Sequence, residues 1–211
     1  MDSLKKHLAA VAVFNAGSLD NKTLKHTLQS ESGIASRRLS RLSLIAALGA
    51  WRLRECVADR IRPDCAVYLA TPFASSALFQ KMSDNVLNHH AAMPFDFIAN
   101  LHNAPVFHAA QALGSHGATV VCAADRRRES WQKAWRLAEN ALVSEPQIAL
   151  GFCYERTQEN EADGSVWLLL ERNPAEQHMF SDNPDKAGRP SENAHYWQDL
   201  IDCLSVSTIP D

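Results

Sequence analysis

The sequence is short of the features that mark a membrane protein, a secreted protein or a metal site. No run of about eighteen uninterrupted apolar residues occurs, so no segment is expected to span a bilayer. Met1 to His7 lead into a short apolar stretch that contains Asn15 and has no small-residue cleavage site, which points to a cytoplasmic protein. Cys-x-x-Cys and His-Glu-x-x-His are both missing, and the five cysteines (Cys56, Cys65, Cys122, Cys153, Cys203) are widely spaced, mostly inside apolar segments. They read as reduced core thiols, with neither a disulfide framework nor a bound metal expected. Gly-x-x-x-x-Gly-Lys-Ser/Thr and Gly-x-Gly-x-x-Gly are absent, which removes a phosphate loop and leaves no cofactor to expect. The basic residues lack interleaved aromatics or a recognition motif, so nucleic acid is not an expected partner.

What is present suits one compact domain: 211 residues, 46% hydrophobic and 21% charged, with a net charge of −3. That small net charge hides an asymmetry. Residues 1–150 carry 17 Lys+Arg against 12 Asp+Glu, whereas 151–211 carry 4 against 12. One reading is a solvated acidic end; the other is a basic part that meets an anionic partner.

The apolar runs order the elements. Leu8 to Ala16 reads as a first buried strand, followed by about twenty polar residues. Helical spacing covers Ser36 to Arg60, with Leu39, Leu42, Ala46, Gly49 and Leu53 on one stripe, and Arg62-Pro63 stops it. Residues 65–70 form a second strand, 75–90 a helix, and Met93 to Phe97 an extended connection. Asn103 as N-cap and Pro105 in the first turn start a helix over about 104–113 that ends at Gly114. Ala118 to Ala124 reads as a strand buried on both faces. The next helix, which Asp125 can cap, repeats Trp131, Ala134, Trp135, Ala138 and Ala141 or Leu142. Gln147 to Tyr154 and Ser165 to Glu171 make a hairpin, 173–192 a polar surface excursion, and 193–204 a final helix. This order predicts an α/β fold: a single mixed, mostly parallel five-stranded sheet with helices on both faces over 1–172, then a polar loop and C-terminal helix over 173–211.

Several side chains invite a chemical role. Cys122 near the carboxyl end of a strand could be a nucleophile, with a base among His89, His90, His102, His108 and His116, although its apolar neighbours suit a buried, inert thiol better. His108 shares a helical face with Ala104 and Ala112, which suggests packing. Arg126, Arg127 and Arg128 sit at a helix start, where the dipole favours anions; they could flank an anion or a partner's acidic patch, or form a tolerated exposed cluster. Phe73, Phe79, Phe95, Phe97 and Phe107 are each ordinary core candidates, and together could line an apolar tunnel.

The element order, with Pro94-x-x-Phe97, Leu101-His102-Asn103-Ala104-Pro105, Leu113-Gly114-Ser115-His116-Gly117-Ala118-Thr119-Val120 and a later strand with Gly151, resembles the amino-terminal half of a β-ketoacyl synthase, the thiolase fold, from about residue 8 to 172. Arg37-Arg38-Leu39-Ser40-Arg41-Leu42-Ser43 is similar to a pattern of the short chain length factors associated with aryl polyene clusters. The resemblance puts the synthase's nucleophilic cysteine at Arg126, or at Asp125 after a one-residue slip, and neither is cysteine. It also puts the two catalytic histidines in a second half of similar size, for which this sequence leaves no room. It therefore implies a non-catalytic chain-length subunit of a type II polyketide system. That subunit would pair with a β-ketoacyl synthase as a heterodimer and meet an acyl carrier protein through the complex. Asn103, Ala104, Phe107, Thr119, Val120, Val121 and Cys122 would lie at the partner interface; Phe73, Phe79, Phe95 and Phe97 would line the acyl tunnel. The residues leave two other readings open: a small Cys-dependent acyltransferase or hydrolase using Cys122, and a carrier-binding scaffold docking through Arg37, Arg38, Arg41 and Arg126 to Arg128.

Overall fold

The computed structural model describes residues 7–72, 75–124, 128–156, 163–172 and 178–181. Apolar alternation and helix caps account for most of its elements. Strand β1 (Leu8–Asn15) is followed by helix α1 (Asn21–Ser32), in the stretch that reads as merely polar. The Asp20 side chain accepts the Thr23 amide at 2.7 Å, and only Leu24 and Leu28, one turn apart, are buried. A two-residue stripe is too thin a signal to read from the sequence. Helix α2 (Arg41–Val57) starts where Ser40 caps the Ser43 amide, and nearly every side from Leu42 to Ala50 is buried. It ends later than Leu53 but before Arg60, giving way to one 3-10 turn at Ala58–Arg60.

Strand β2 (Ala66–Thr71) and helices α3 (Ser76–His89), α4 (Pro94–Ala99) and α5 (Ala104–Leu113) come next. The extended connection expected around Phe95 is instead the short helix α4, with Pro94 in its first turn, where the missing N–H costs nothing. Helix α5 ends at Gly114, whose φ of 72° is the left-handed turn that glycine adopts freely. Asn103 precedes it but makes no side-chain cap, since its backbone is already helical. Strand β3 (Thr119–Ala123), helix α6 (Arg128–Ala141), the hairpin β4 (Gln147–Tyr154) and β5 (Gly164–Glu171), and strand β6 (His178–Ser181) complete the order.

The sheet is mixed and runs β3-β2-β4-β5-β1-β6. The pairs β2–β3, β2–β4 and β1–β6 are parallel, and β4–β5 and β1–β5 antiparallel. It has six strands, one more than the sequence predicts: β6 comes from the stretch that reads as a surface excursion, and pairs Ala10–Val13 with His178–Ser181. Alternate residues feed two cores. Val67, Leu69, Ala149, Cys153, Trp167 and Leu169 pack under α1, α2 and α5; Ala66, Tyr68, Ile148, Phe152, Val166 and Leu168 pack under Trp131, Ala134, Trp135 and Ala138 of α6. Helix α2 lies against the sheet because two glycines make room for the fully buried Trp167. A Cβ on Gly49 would stand 2.7 Å from Trp167 Cδ1, and one on Gly151 2.6 Å from its Cζ2.

Candidate functional site

Strand β3 corrects the expectation of a strand buried on both faces. It is the last strand of the sheet on its side, with Thr119 and Ala123 exposed and Val120, Val121 and Cys122 half-buried. The Ala124 amide turns inward and donates to Thr71 O at 2.9 Å, and Val67 N donates to Ala118 O at 2.8 Å. Strand alternation therefore turns the N–H groups of Thr119, Val121 and Ala123 outward, and no strand pairs with them among the described residues. Such an edge is a template for another strand.

Helix α5 packs beside this edge. Val106, Ala109, Ala110 and Leu113 are buried toward α2, while Asn103 is exposed, Ala104 half-buried and Phe107 61% exposed. The Arg54 guanidinium donates to Ala112 O at 3.2 Å, fixing the carboxyl end of α5. The residues assigned by resemblance to a partner interface thus fall on two neighbouring elements, β3 and α5. Helices α3 and α4 add to the uncovered apolar surface: neither buries a single side chain, and Phe79, Leu87, Phe95, Phe97 and Ile98 all stand more than half exposed. Phe79 and Phe97 line none of the cavities described below, and Phe95 lines an open cleft rather than a closed tunnel. Phe73, Asp125, Arg126, Arg127 and the expected helix at 193–204 lie outside the described residues, and nothing is said of the Arg128 side chain.

The candidate nucleophile is poorly suited to attack. Burial pushes the Cys122 thiol above its ordinary value, and pushes Cys65 up to about 12 and Cys153 up as well, so these thiols stay protonated near neutral pH. His89, His90, His102 and His116 are exposed; His108 is half-buried, and burial pushes its imidazole below the ordinary value, partly offset by Gln111. Its ring stands edge-on to Phe107, 5.2 Å between centroids. No cluster of three or more potential metal ligands occurs among the described residues.

A second feature escaped the sequence. The carboxyl ends of β2 and β4 open on a cleft of about 370 Å³, walled by the α1–α2 connection on one side and by α3 and α4 on the other. At its floor Glu155, 6% exposed, accepts a hydrogen bond from Ser75 Oγ through Oε1 at 3.0 Å, while Oε2 has no hydrogen-bond partner. Burial raises the Glu155 carboxyl above its ordinary value, against the lowering effects of Ser75, Arg41 and the Leu42 amide. Arg41 is held beside it by a bidentate pair to the buried Asp163, at 2.5 and 3.1 Å. At the mouth Arg38 stacks over Phe95, 4.0 Å from the ring centroid, and Lys81 pairs with Asp96 at 2.8 Å. The one sequence signal for the floor is a carboxylate directly after an eight-residue strand that is buried throughout, at the end of a parallel strand pair.

No protein-family model matches the chain, and no curated protein matches its sequence. Solved structures do match in fold. A structure of the ishigamide ketosynthase/chain length factor superposes with a TM-score of 0.59 at 14% identity, over 69% of this chain and 47% of that chain. A ketosynthase (ApeO) in complex with its chain length factor (ApeC) from Xenorhabdus doucetiae gives 0.58 at 13% identity, over 80% of this chain and 79% of that one, so the two chains are of nearly equal length. A type II polyketide synthase acyl-carrier protein in complex with its ketosynthase bound to the hexaketide, AntDE:AntF, gives 0.58 at 11%, over 78% of this chain and 62% of that chain. This chain thus spans about half of the first of these chains and less than two thirds of the third. The fold is that of the thiolase-like ketosynthases and their chain length factors, and no helix among the described residues is long and apolar enough to cross a membrane.

Proposed function

We propose that this chain is a non-catalytic chain length factor, which pairs with a β-ketoacyl synthase in a cytoplasmic type II polyketide system of the aryl polyene kind and shapes the tunnel for the growing acyl chain. The observation that carries this reading is the open edge of β3, with outward amides and half-buried apolar side chains, flanked by the exposed Phe107 of α5. A synthase strand added there would extend the sheet across the two subunits and cover Asn103, Ala104 and Phe107. Phe79, Phe95 and Phe97 would then gain the cover they lack and close the far end of the partner's tunnel. The catalytic thiol and histidines would come from the synthase, as would the main docking of an acyl carrier protein. The raised thiol of Cys122 argues against the alternative of an independent Cys-dependent acyltransferase.

The test is coexpression with a type II ketosynthase from the same genome. Co-elution on size exclusion, with longer products than the synthase makes alone, is the expected result, and Phe107→Ala should shift product length while the pair still forms. Separate migration of the two chains would overturn the reading, as would identical products with and without this subunit.

A further inference from the structure

One face of the sheet is buried over a wider area than its one described helix can cover. On that face β1 presents Leu8, Val11 and the half-buried Val13, and β5 presents Val166, Leu168 and Leu170, the last three fully buried. Helix α6 packs there over β2 and β4, toward the β3 side of the strand order. Neighbouring strands lie about 4.8 Å apart and a helix with its side chains is about 10 Å across, so one helix shields about two strands. Strand β1 is the second strand beyond β4, about 10 Å from it, and α6 does not reach that far. The opposite face needs nothing more, because α2 lies against β1, β5 and β4 on it. Burial of Val11, Val166 and Leu168 within a single copy of the chain therefore calls for a second apolar element over β1 and β5.

The rest of the chain offers one segment of the right pattern. Residues 1–6, 157–162 and 173–177 bring only Met1 and Leu4 as large apolar side chains, and 73–74 and 125–127 follow β2 and β3, at the other side of the strand order. Residues 193–204 instead carry Trp197, Leu200, Ile201 and Leu204 at the spacing of one helix face, with Gln198 and Asp202 on the opposite one. The connection is long enough. Strand β6 runs parallel to β1 and ends at Ser181, opposite Val13, on the edge beside the uncovered strands. From there residues 182–192 can extend about 36 Å, more than the about 26 Å of an eight-residue strand, so the chain can turn over the edge and return along β1 and β5.

We propose that residues 193–204 form an amphipathic helix docked across β1 and β5, with Trp197, Leu200, Ile201 and Leu204 on Val11, Val166 and Leu168. The chain thereby covers the part of this face that α6 leaves open. The cover sits at the side of the sheet away from β3, whose edge stays free for a partner. The inference rests on the burial of β1 and β5 and does not depend on the pairing reading above.

Photo-cross-linking of the full chain tests it, with Leu204→p-benzoylphenylalanine and tryptic mapping of the products by mass spectrometry. Irradiation should join position 204, within one chain, to fragment 7–22 or 157–172, which carry β1 and β5. Leu200→Asp should lower the melting temperature by about 10 °C or more, because a charge replaces a buried apolar contact. Asp202→Asn, on the outward face, should leave it within about 2 °C of the wild type. Cross-links confined to other fragments overturn the proposal, as does an unchanged melting temperature in Leu200→Asp. Cross-links only between two chains also overturn it and assign the cover to a second copy. If Leu200→Asp does not fold, the cross-linked fragments decide alone. No ketosynthase is present in these measurements, so their failure leaves the pairing reading untouched, and failed pairing leaves the cover untouched.

Discussion

Glu155 shows how one buried residue can make stability depend on pH. It sits at the end of β4, almost fully buried, with one oxygen satisfied by Ser75 and the other bare. Because desolvation raises its carboxyl above the ordinary value, the folded protein holds that proton more tightly than the unfolded chain does. The stability it contributes is therefore complete below the usual carboxylate value and is lost as pH rises through the folded value. Glu155→Gln keeps the shape and removes the titration. Melting curves from pH 4 to pH 8 should show the wild type losing stability relative to the variant across that rise; parallel curves would contradict the assignment. Asp163, also buried, is paired with Arg41 through two hydrogen bonds.

At the scale of elements, β3 and α5 share one pattern: an inner side that builds the core and an outer side with nothing on it. The alternation of N–H groups along β3 allows the two sides to be separated by substitution. Ala123 is exposed and its amide points outward, away from the ladder with β2. Ala123→Pro removes only that outward donor, which an edge strand tolerates. It should leave the far-ultraviolet dichroism of the chain unchanged while weakening co-elution with a ketosynthase by at least tenfold, measured on size exclusion at matched concentrations. An intact complex would mean that the sheet edge is not the contact. Helices α3 and α4 have no buried side chain of their own, and are joined to each other through the Lys81–Asp96 pair.

Among the described residues helices pack on both faces of the sheet, and most of the large apolar side chains left exposed stand on α3, α4 and α5. A hydrophobic dye such as ANS should bind the isolated chain strongly and lose most of that signal when a ketosynthase pairs with it; a signal unchanged by pairing would place the contact elsewhere. The sequence by itself determined the two strong periods: continuous apolar runs for β1, β2, β4 and β5, and the helical repeats of α2, α5 and α6. It also carried the stop at Gly114, because a left-handed C-cap is local chemistry, but not the cap at Ser40, since the helical spacing is read from Ser36. It could not say that β3 lies at an edge, since Val120, Val121 and Cys122 are as apolar as any central strand and only the order of strands leaves them half-covered. Nor could it reveal α1, whose two buried leucines matter only because α2 lies beneath them. The cleft is the fullest case. Lys25, Arg38, Ser75, Phe95 and Glu155 come from five separate places in the chain, and a charge is a site only when the fold brings its neighbours, its burial and its missing partner together in space.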